Sequence, residues 1–221
     1  MTLLDFPGKV ACTVFLGGCD FRCPFCHNFE LAEGIAEPVM ELSELLDFLD
    51  KRKGLLDGAA FTGGEPCLHR DLPELLLKIK DMGFQTKLDT NGYHPEILKQ
   101  IIDTHAADYI AMDIKNSPEK YAETVGLPAV DLAPVRRSIS LLMGGNTAYE
   151  FRTTVMKELH ADEDMNGIGR MIQGAAAHYL QPFTDRDTVL YSGFSAPDEE
   201  TLARWKTILS VYVGQVFMRG A

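Results

Sequence analysis

Strand-like and helix-like segments alternate six times along this chain, and few folds accept that pattern. "KVACTVFL" (Lys9–Leu16) is short, apolar and β-branched, the signature of a buried strand. Five more runs read the same way: "GAAFTGG", "FQTKLDTNG", "ADYIAMDIK", "AYEFRTTVM" and "YLQPF", the last with or without "TVLYS". Helical patterns separate them. "ELSELLDFLDKRKG" puts Leu42, Leu45, Leu46 and Leu49 on one face, with Gly54 as its stop. "DLPELLLKIKDMG" has Asp71 at the N-cap and Gly83 just past its end. "PEILKQIIDTH", "LAPVRRSISLLMGG" and "DEDMNGIGRMIQGAAAH" follow, and "APDEETLARWKTIL" closes the series with Leu202, Trp205, Ile208 and Leu209 turned inward. Parallel strands need crossover helices, so the pattern implies an α/β fold, a parallel sheet with helices outside. An open sheet and a barrel both satisfy it. Since eight units usually need roughly 250 residues, 221 residues suit a partial (β/α)6 barrel, one domain over 1–221.

In either architecture the loops at the carboxyl ends of the strands share one rim, where such folds bind ligands. The polar turns all fall there: a cysteine loop after the first strand, "TGGEP" after the second, "DTNG" after the third and "DIKNS" after the fourth. Four such loops on one rim make a site.

Composition narrows what the site serves. A formal net charge of -11 argues against a general nucleic-acid or anionic-membrane binder, although a local basic patch stays compatible with it. No apolar run is long enough to span a bilayer, and the opening "MTLLDFPGKVACTVFLGG" lacks a charged n-region and a small-residue cleavage site. The expected location is cytoplasmic. Five cysteines, an odd number with three crowded together, do not resemble a disulfide framework.

The crowded stretch is "GGCDFRCPFCHN", with Cys19, Cys23 and Cys26 spaced C-x3-C-x2-C and His27 directly after. Three readings compete. The thiols are reduced and merely packed; or they hold a structural zinc, which needs four protein ligands and often two separated CxxC pairs; or they occupy three corners of an iron–sulfur cluster whose fourth iron is open. The third is favoured, because only one CxxC exists and His27 would point away from a metal held by its neighbour. Cys12 and Cys67 stand apart and read as small buried hydrophobes.

C-x3-C-x2-C with an aromatic residue, Phe25, before the last cysteine resembles the radical S-adenosylmethionine superfamily. The resemblance implies a [4Fe–4S] cluster on Cys19, Cys23 and Cys26, with S-adenosylmethionine chelating the fourth iron. One electron then breaks a carbon–sulfur bond and yields the 5′-deoxyadenosyl radical. "TGGEP" is similar to the family's Gly-Gly-Glu turn, in which Gly63, Gly64 and Glu65 would position the cofactor: the glycines would let the backbone approach it closely, and amides and carbonyls there would hold its methionine ammonium. "DTNG" and "DIK" resemble, more narrowly, the activating enzymes of glycyl radical enzymes. In that group Asp89, Asn91, Lys115 and Arg152 would face the cofactor together with Phe25 and His27. Asp89, Thr90 and Asp113 would hold a monovalent cation beside its carboxylate. "LDFPG" and "CHN" also resemble this group and make Asp5 the expected partner contact.

The resemblance spans nearly the whole chain and is greatest to the short type of anaerobic ribonucleoside-triphosphate reductase activating proteins. Where pyruvate formate-lyase activating enzymes carry a cofactor-facing histidine, this chain has Thr184, and it has no second cysteine-rich insert. The implied function is an activase. It cleaves S-adenosylmethionine reductively and generates a glycyl radical on a partner, anaerobic ribonucleotide reductase or else pyruvate formate-lyase. A flavodoxin or ferredoxin would supply the electron near Lys9 and Arg22. The rival readings are a radical enzyme acting on a small molecule and a structural-zinc or electron-transfer protein.

Overall fold

A computed structural model describes residue 2 and residues 5–220; Leu4, which opens the "LDFPG" turn, lies outside the described residues. Seven strands form one sheet in chain order: β1 (Ala11–Leu16), β2 (Gly58–Gly63), β3 (Gln85–Thr90), β4 (Tyr109–Asp113), β5 (Ala148–Val155), β6 (Ala177–Pro182) and β7 (Gln215–Met218). Every neighbouring pair is parallel, so all seven carboxyl ends lie on one rim. β1 and β7 are the two edges, and the sheet does not close. The helices are α1 (Phe29–Glu33), α2 (Leu42–Asp50), α3 (Leu72–Asp81), α4 (Pro95–Asp103), α5 (Tyr121–Thr124), α6 (Ala133–Gly144), α7 (Asp162–Met171) and α8 (Glu199–Leu209). None of the described helices is long and apolar enough to cross a membrane.

The six expected strands and the helices between them are present, with three local differences. β1 starts at Ala11 rather than Lys9, because the Lys9 amide closes a turn on the Phe6 carbonyl at 3.1 Å. Asp71 sits at the N-cap of α3 but makes no side-chain cap bond. "TVLYS" is not a strand; the chain adds β7 after α8 instead. The four residues of "QVFM" are too few to show a period, and of them only Val216 is buried.

Alternation divides the sheet into two unlike faces. The outer face carries Phe61, Leu88, Ile110, Phe151, Leu180 and Val216 into one apolar core beneath the helices. The inner face runs in rows set by the register. Thr13, Ala60, Lys87 and Tyr109 form one, and Asp113, Arg152, Tyr179 and Phe217 another. The sheet curves around this polar face. Arg152 on β5 reaches Asp89 on β3 across β4 at 3.2 Å, and His27 in the loop after β1 meets the Thr184 carbonyl after β6 at 2.7 Å. At the amino end Phe6 is buried, with its ring 6.5 Å from that of Tyr109.

Candidate functional site

The loop after β1 is pinned backbone to backbone. Gly64 N–H donates to Leu16 O (2.8 Å), Glu65 N–H to Gly18 O (2.8 Å), and Gly18 N–H to Leu31 O (2.7 Å). The Asn28 amide adds a bond to Gly63 O at 2.9 Å. These contacts explain the glycine pair. A Cβ at Gly63 would stand 2.4 Å from Leu16 O, and one at Gly64 would stand 2.1 Å from Gly18 O. The glycines thus permit close approach of the cysteine loop, and Gly63, Gly64 and Glu65 also line the pocket on the rim.

Cys19, Cys23 and Cys26 are free thiols that line one open pocket on the rim. Cys12 and Cys67 are buried away from it, as small hydrophobes would be. Among the described residues no three His, Cys, Asp or Glu side chains converge on a point that would hold a single metal ion. Three thiols around one pocket with no fourth protein donor fit a larger group that takes one thiolate per corner. Burial pushes the Cys19 thiol up to about 11 and the Cys23 thiol up to about 12. Thiolates there call for strong positive charge, which a bound metal cluster would supply. Cys19 Sγ also accepts two N–H donors, Phe21 N at 3.4 Å and Asn91 Nδ2 at 3.7 Å.

Glu65 is fully buried beneath these loops and acts as their knot. Oε1 accepts from Cys67 N (2.9 Å) and Thr90 Oγ1 (2.7 Å), and Oε2 accepts from Asn91 N (2.6 Å). Burial raises its pKa, and the three donors oppose that rise. Through Glu65 the "TGGEP" and "DTNG" turns hold each other. Asn91 Oδ1 accepts from Tyr93 N at 2.9 Å, which leaves Nδ2 as the end facing Cys19.

The inner face below the thiols carries a ladder of five charges. Lys87 Nζ contacts Asp89 Oδ1; Asp89 Oδ2 meets Arg152 Nη1 at 3.2 Å. Arg152 Nε meets Asp113 Oδ1 at 2.8 Å, and Asp113 Oδ2 meets Lys115 Nζ at 2.9 Å. Burial disfavours the charged Asp113, but Arg152 and Lys115 beside it hold its carboxyl well below the usual range. Burial likewise opposes charge on Lys115 and Arg152, and their carboxylate neighbours more than restore it. Lys115, Arg152, Asp89 and Asp113 line the same pocket as the three thiols. Thr90, expected beside Asp89 and Asp113, turns its hydroxyl to Glu65 on the other face of β3.

Of the remaining expected residues, Phe25 is buried and packs edge-on to Phe194 at 6.3 Å, and His27 stacks on Phe183 at 5.6 Å. Asp5 is exposed and accepts from Thr13 Oγ1 at 2.7 Å, on the inner side of edge strand β1. Lys9 and Arg22 do not form one patch. Lys9 precedes β1 at the amino end of the sheet, whereas Arg22 follows it on the rim, paired with Glu33 and bonded to Cys19 O and Phe21 O. Six residues of strand, about 20 Å, separate the two ends. Two features escaped the sequence reading. Lys87 was visible as the i−2 neighbour of Asp89 in "KLD", which alternation puts on one face. The His94–Asp20 pair (2.7 Å), which ties the third-strand loop to the cysteine loop, joins residues 74 positions apart and had no local signal.

A family model described as the radical SAM superfamily matches residues 13–163. A Methanocaldococcus jannaschii protein named for glycyl-radical enzyme activation is 30% identical over 99% of this chain and 92% of its own length. The pyruvate formate-lyase-activating enzyme of Clostridium pasteurianum is 35% identical over 52% of this chain and 50% of its own length. Among solved structures, Streptococcus suis SuiB bound to S-adenosylmethionine superposes with a TM-score of 0.71 at 15% identity, covering 98% of this chain and 51% of that one. At that identity the likeness is one of fold.

Proposed function

The chain belongs to the radical SAM superfamily and, within it, to the glycyl-radical enzyme activating enzymes, and on that premise we propose that it installs a radical on a backbone glycine of a partner enzyme. One observation carries the reading: the three thiols and four charges of the ladder, Asp89, Arg152, Asp113 and Lys115, line one pocket. Cys19, Cys23 and Cys26 would hold a [4Fe–4S] cluster, and Lys115 and Arg152 would meet the carboxylate of S-adenosylmethionine. When bound, the two groups supply reductive cleavage of a carbon–sulfur bond and a 5′-deoxyadenosyl radical.

The chain's own residues do the rest. Glu65 fixes the two turns that flank the thiols, and the Asn91 amide and Phe21 N–H orient Cys19. The ladder presents fixed positive charge without needing to reorganise. Phe25, His27, Phe183 and Phe194 close an apolar wall beside the thiols and exclude water. The unclosed edge of the sheet, where Asp5 is hydrogen-bonded to Thr13 of β1, is the side from which a partner loop would enter.

The first partner we propose is anaerobic ribonucleoside-triphosphate reductase and the second pyruvate formate-lyase, with a flavodoxin or ferredoxin as reductant. The test is anaerobic reconstitution with iron and sulfide, followed by dithionite and S-adenosylmethionine. 5′-Deoxyadenosine and, with the cognate partner present, a glycyl radical signal by electron paramagnetic resonance are expected. Zinc at one per chain without iron, or no 5′-deoxyadenosine from protein with intact cysteines, overturns the reading.

A further inference from the structure

Lys87 is only 2% exposed, on the inner face of β3. An ammonium this deep needs a counter-ion and a reason to be there. Its counter-ion is Asp89 Oδ1. The other nearby acid, Glu150, is already taken by Arg219 and by the Tyr109 hydroxyl at 2.7 Å.

The carboxylates that a monovalent cation would bind are therefore occupied from within the chain. Asp89 uses its two oxygens on Lys87 and Arg152, and Asp113 uses its two on Arg152 and Lys115. The Thr90 hydroxyl, expected as a further ligand, donates to Glu65 instead. Charge counting points the same way. Three cations (Lys87, Arg152, Lys115) face two carboxylates, so the ladder as a whole carries one surplus positive charge. Without Lys87 the ladder would be neutral, and a ligand carboxylate would have to bring its own cation.

We infer that Lys87 is a positioning residue that supplies, from within the chain, the charge a monovalent cation would otherwise bring to Asp89 and Asp113. Binding of S-adenosylmethionine is then independent of sodium and potassium. The inference rests on the reading of the pocket proposed above.

The experiment measures equilibrium binding of S-adenosylmethionine to the anaerobically reconstituted protein, with tetramethylammonium as the sole bulk cation and then with potassium or sodium added. Wild-type affinity should stay the same within about twofold. Lys87→Ala should lose roughly tenfold or more in tetramethylammonium and recover most of it when potassium or sodium is added. A merely structural lysine would show no such rescue by a small ion. Wild-type binding that depends on sodium or potassium overturns the inference, as does a Lys87→Ala protein that binds normally without them. If Lys87→Ala fails to take up iron, Lys87→Met makes the same comparison, and the wild-type cation exchange decides if neither variant folds. Absence of binding by the wild type in every salt overturns the cofactor reading of the pocket as well, so the two failures are distinguishable.

Discussion

The side-chain amide of Asn91 donates to Cys19 Sγ at 3.7 Å, and its orientation is fixed because its oxygen accepts from Tyr93 N at 2.9 Å. With Phe21 N, Asn91 gives Cys19 two N–H donors. N–H···S bonds favour the more negatively charged state of a thiolate-held cluster and so raise its potential. Asn91→Leu should lower the midpoint potential of the reconstituted cluster by about 20–60 mV, the one-electron equivalent of one hydrogen bond. A redox titration followed by electron paramagnetic resonance checks this, with iron content confirming equal loading. An unchanged potential would remove Asn91 from the redox argument.

Glu65 supports that geometry from below. Its Oε2 accepts from Asn91 N at 2.6 Å in a fully buried setting. Glu65→Gln keeps the shape, but the amide must set an NH2 group either against Asn91 N or against Cys67 N and Thr90 Oγ1 together. An unsatisfied buried donor costs about 1–3 kcal/mol. Denaturant unfolding should show a loss of that order, and the variant should take up iron poorly because the "DTNG" turn is released. Wild-type stability and wild-type iron uptake together would contradict the role of Glu65 as the knot of the two turns.

Much of this was legible in the sequence, for identifiable reasons. Strand and helix periods are local, so β1 to β6 and the helices between them could be read directly; the four-residue β7 was too short to show one. The cysteine spacing is also local, and the rim position of "TGGEP", "DTNG" and "DIKNS" follows from parallel topology. What stayed hidden was pairing across strands. The sequence gives no sign that Arg152 joins Asp113 on the next strand to Asp89 two strands away, or that Thr90 and Asn91 close on Glu65. Lys9 and Arg22 show the opposite hazard. They are close in sequence but stand at opposite ends of β1.

Gly64 gives a test of the loop junction that involves no charge. A Cβ there would stand 2.1 Å from Gly18 O and 2.8 Å from Gly18 C, and both are backbone atoms. Neither can move without shifting the cysteine loop. Gly64→Ala should destabilise the protein by about 1–3 kcal/mol and reduce iron uptake on reconstitution. Thermal unfolding and iron content measured together decide the matter: a normal value for both would mean that the two loops are not clamped at this point.

His178 on β6 predicts a pH dependence away from the site. It is fully buried, and Thr153 Oγ1 lies 2.9 Å from its Nε2. Because that hydroxyl donates to Ile114 O, it accepts from His178 Nε2–H, and His178 Nδ1 has no partner among the described residues. Burial pushes the His178 pKa down to about 3. The unfolded chain takes up this proton below about pH 6.5, while the folded chain stays neutral there, so the unfolded state binds more protons and stability falls as the pH is lowered. The contribution is fully present at neutral pH and is lost at about 1.4 kcal/mol per unit as pH falls from about 6.5 toward 3. Between pH 7 and pH 5 it amounts to about 2 kcal/mol. His178→Gln keeps a donor for Thr153 and removes the titration. Urea unfolding of both proteins at the two pH values should show a smaller acid loss in the variant by about that amount, and parallel losses would show that His178 does not titrate on unfolding in this range.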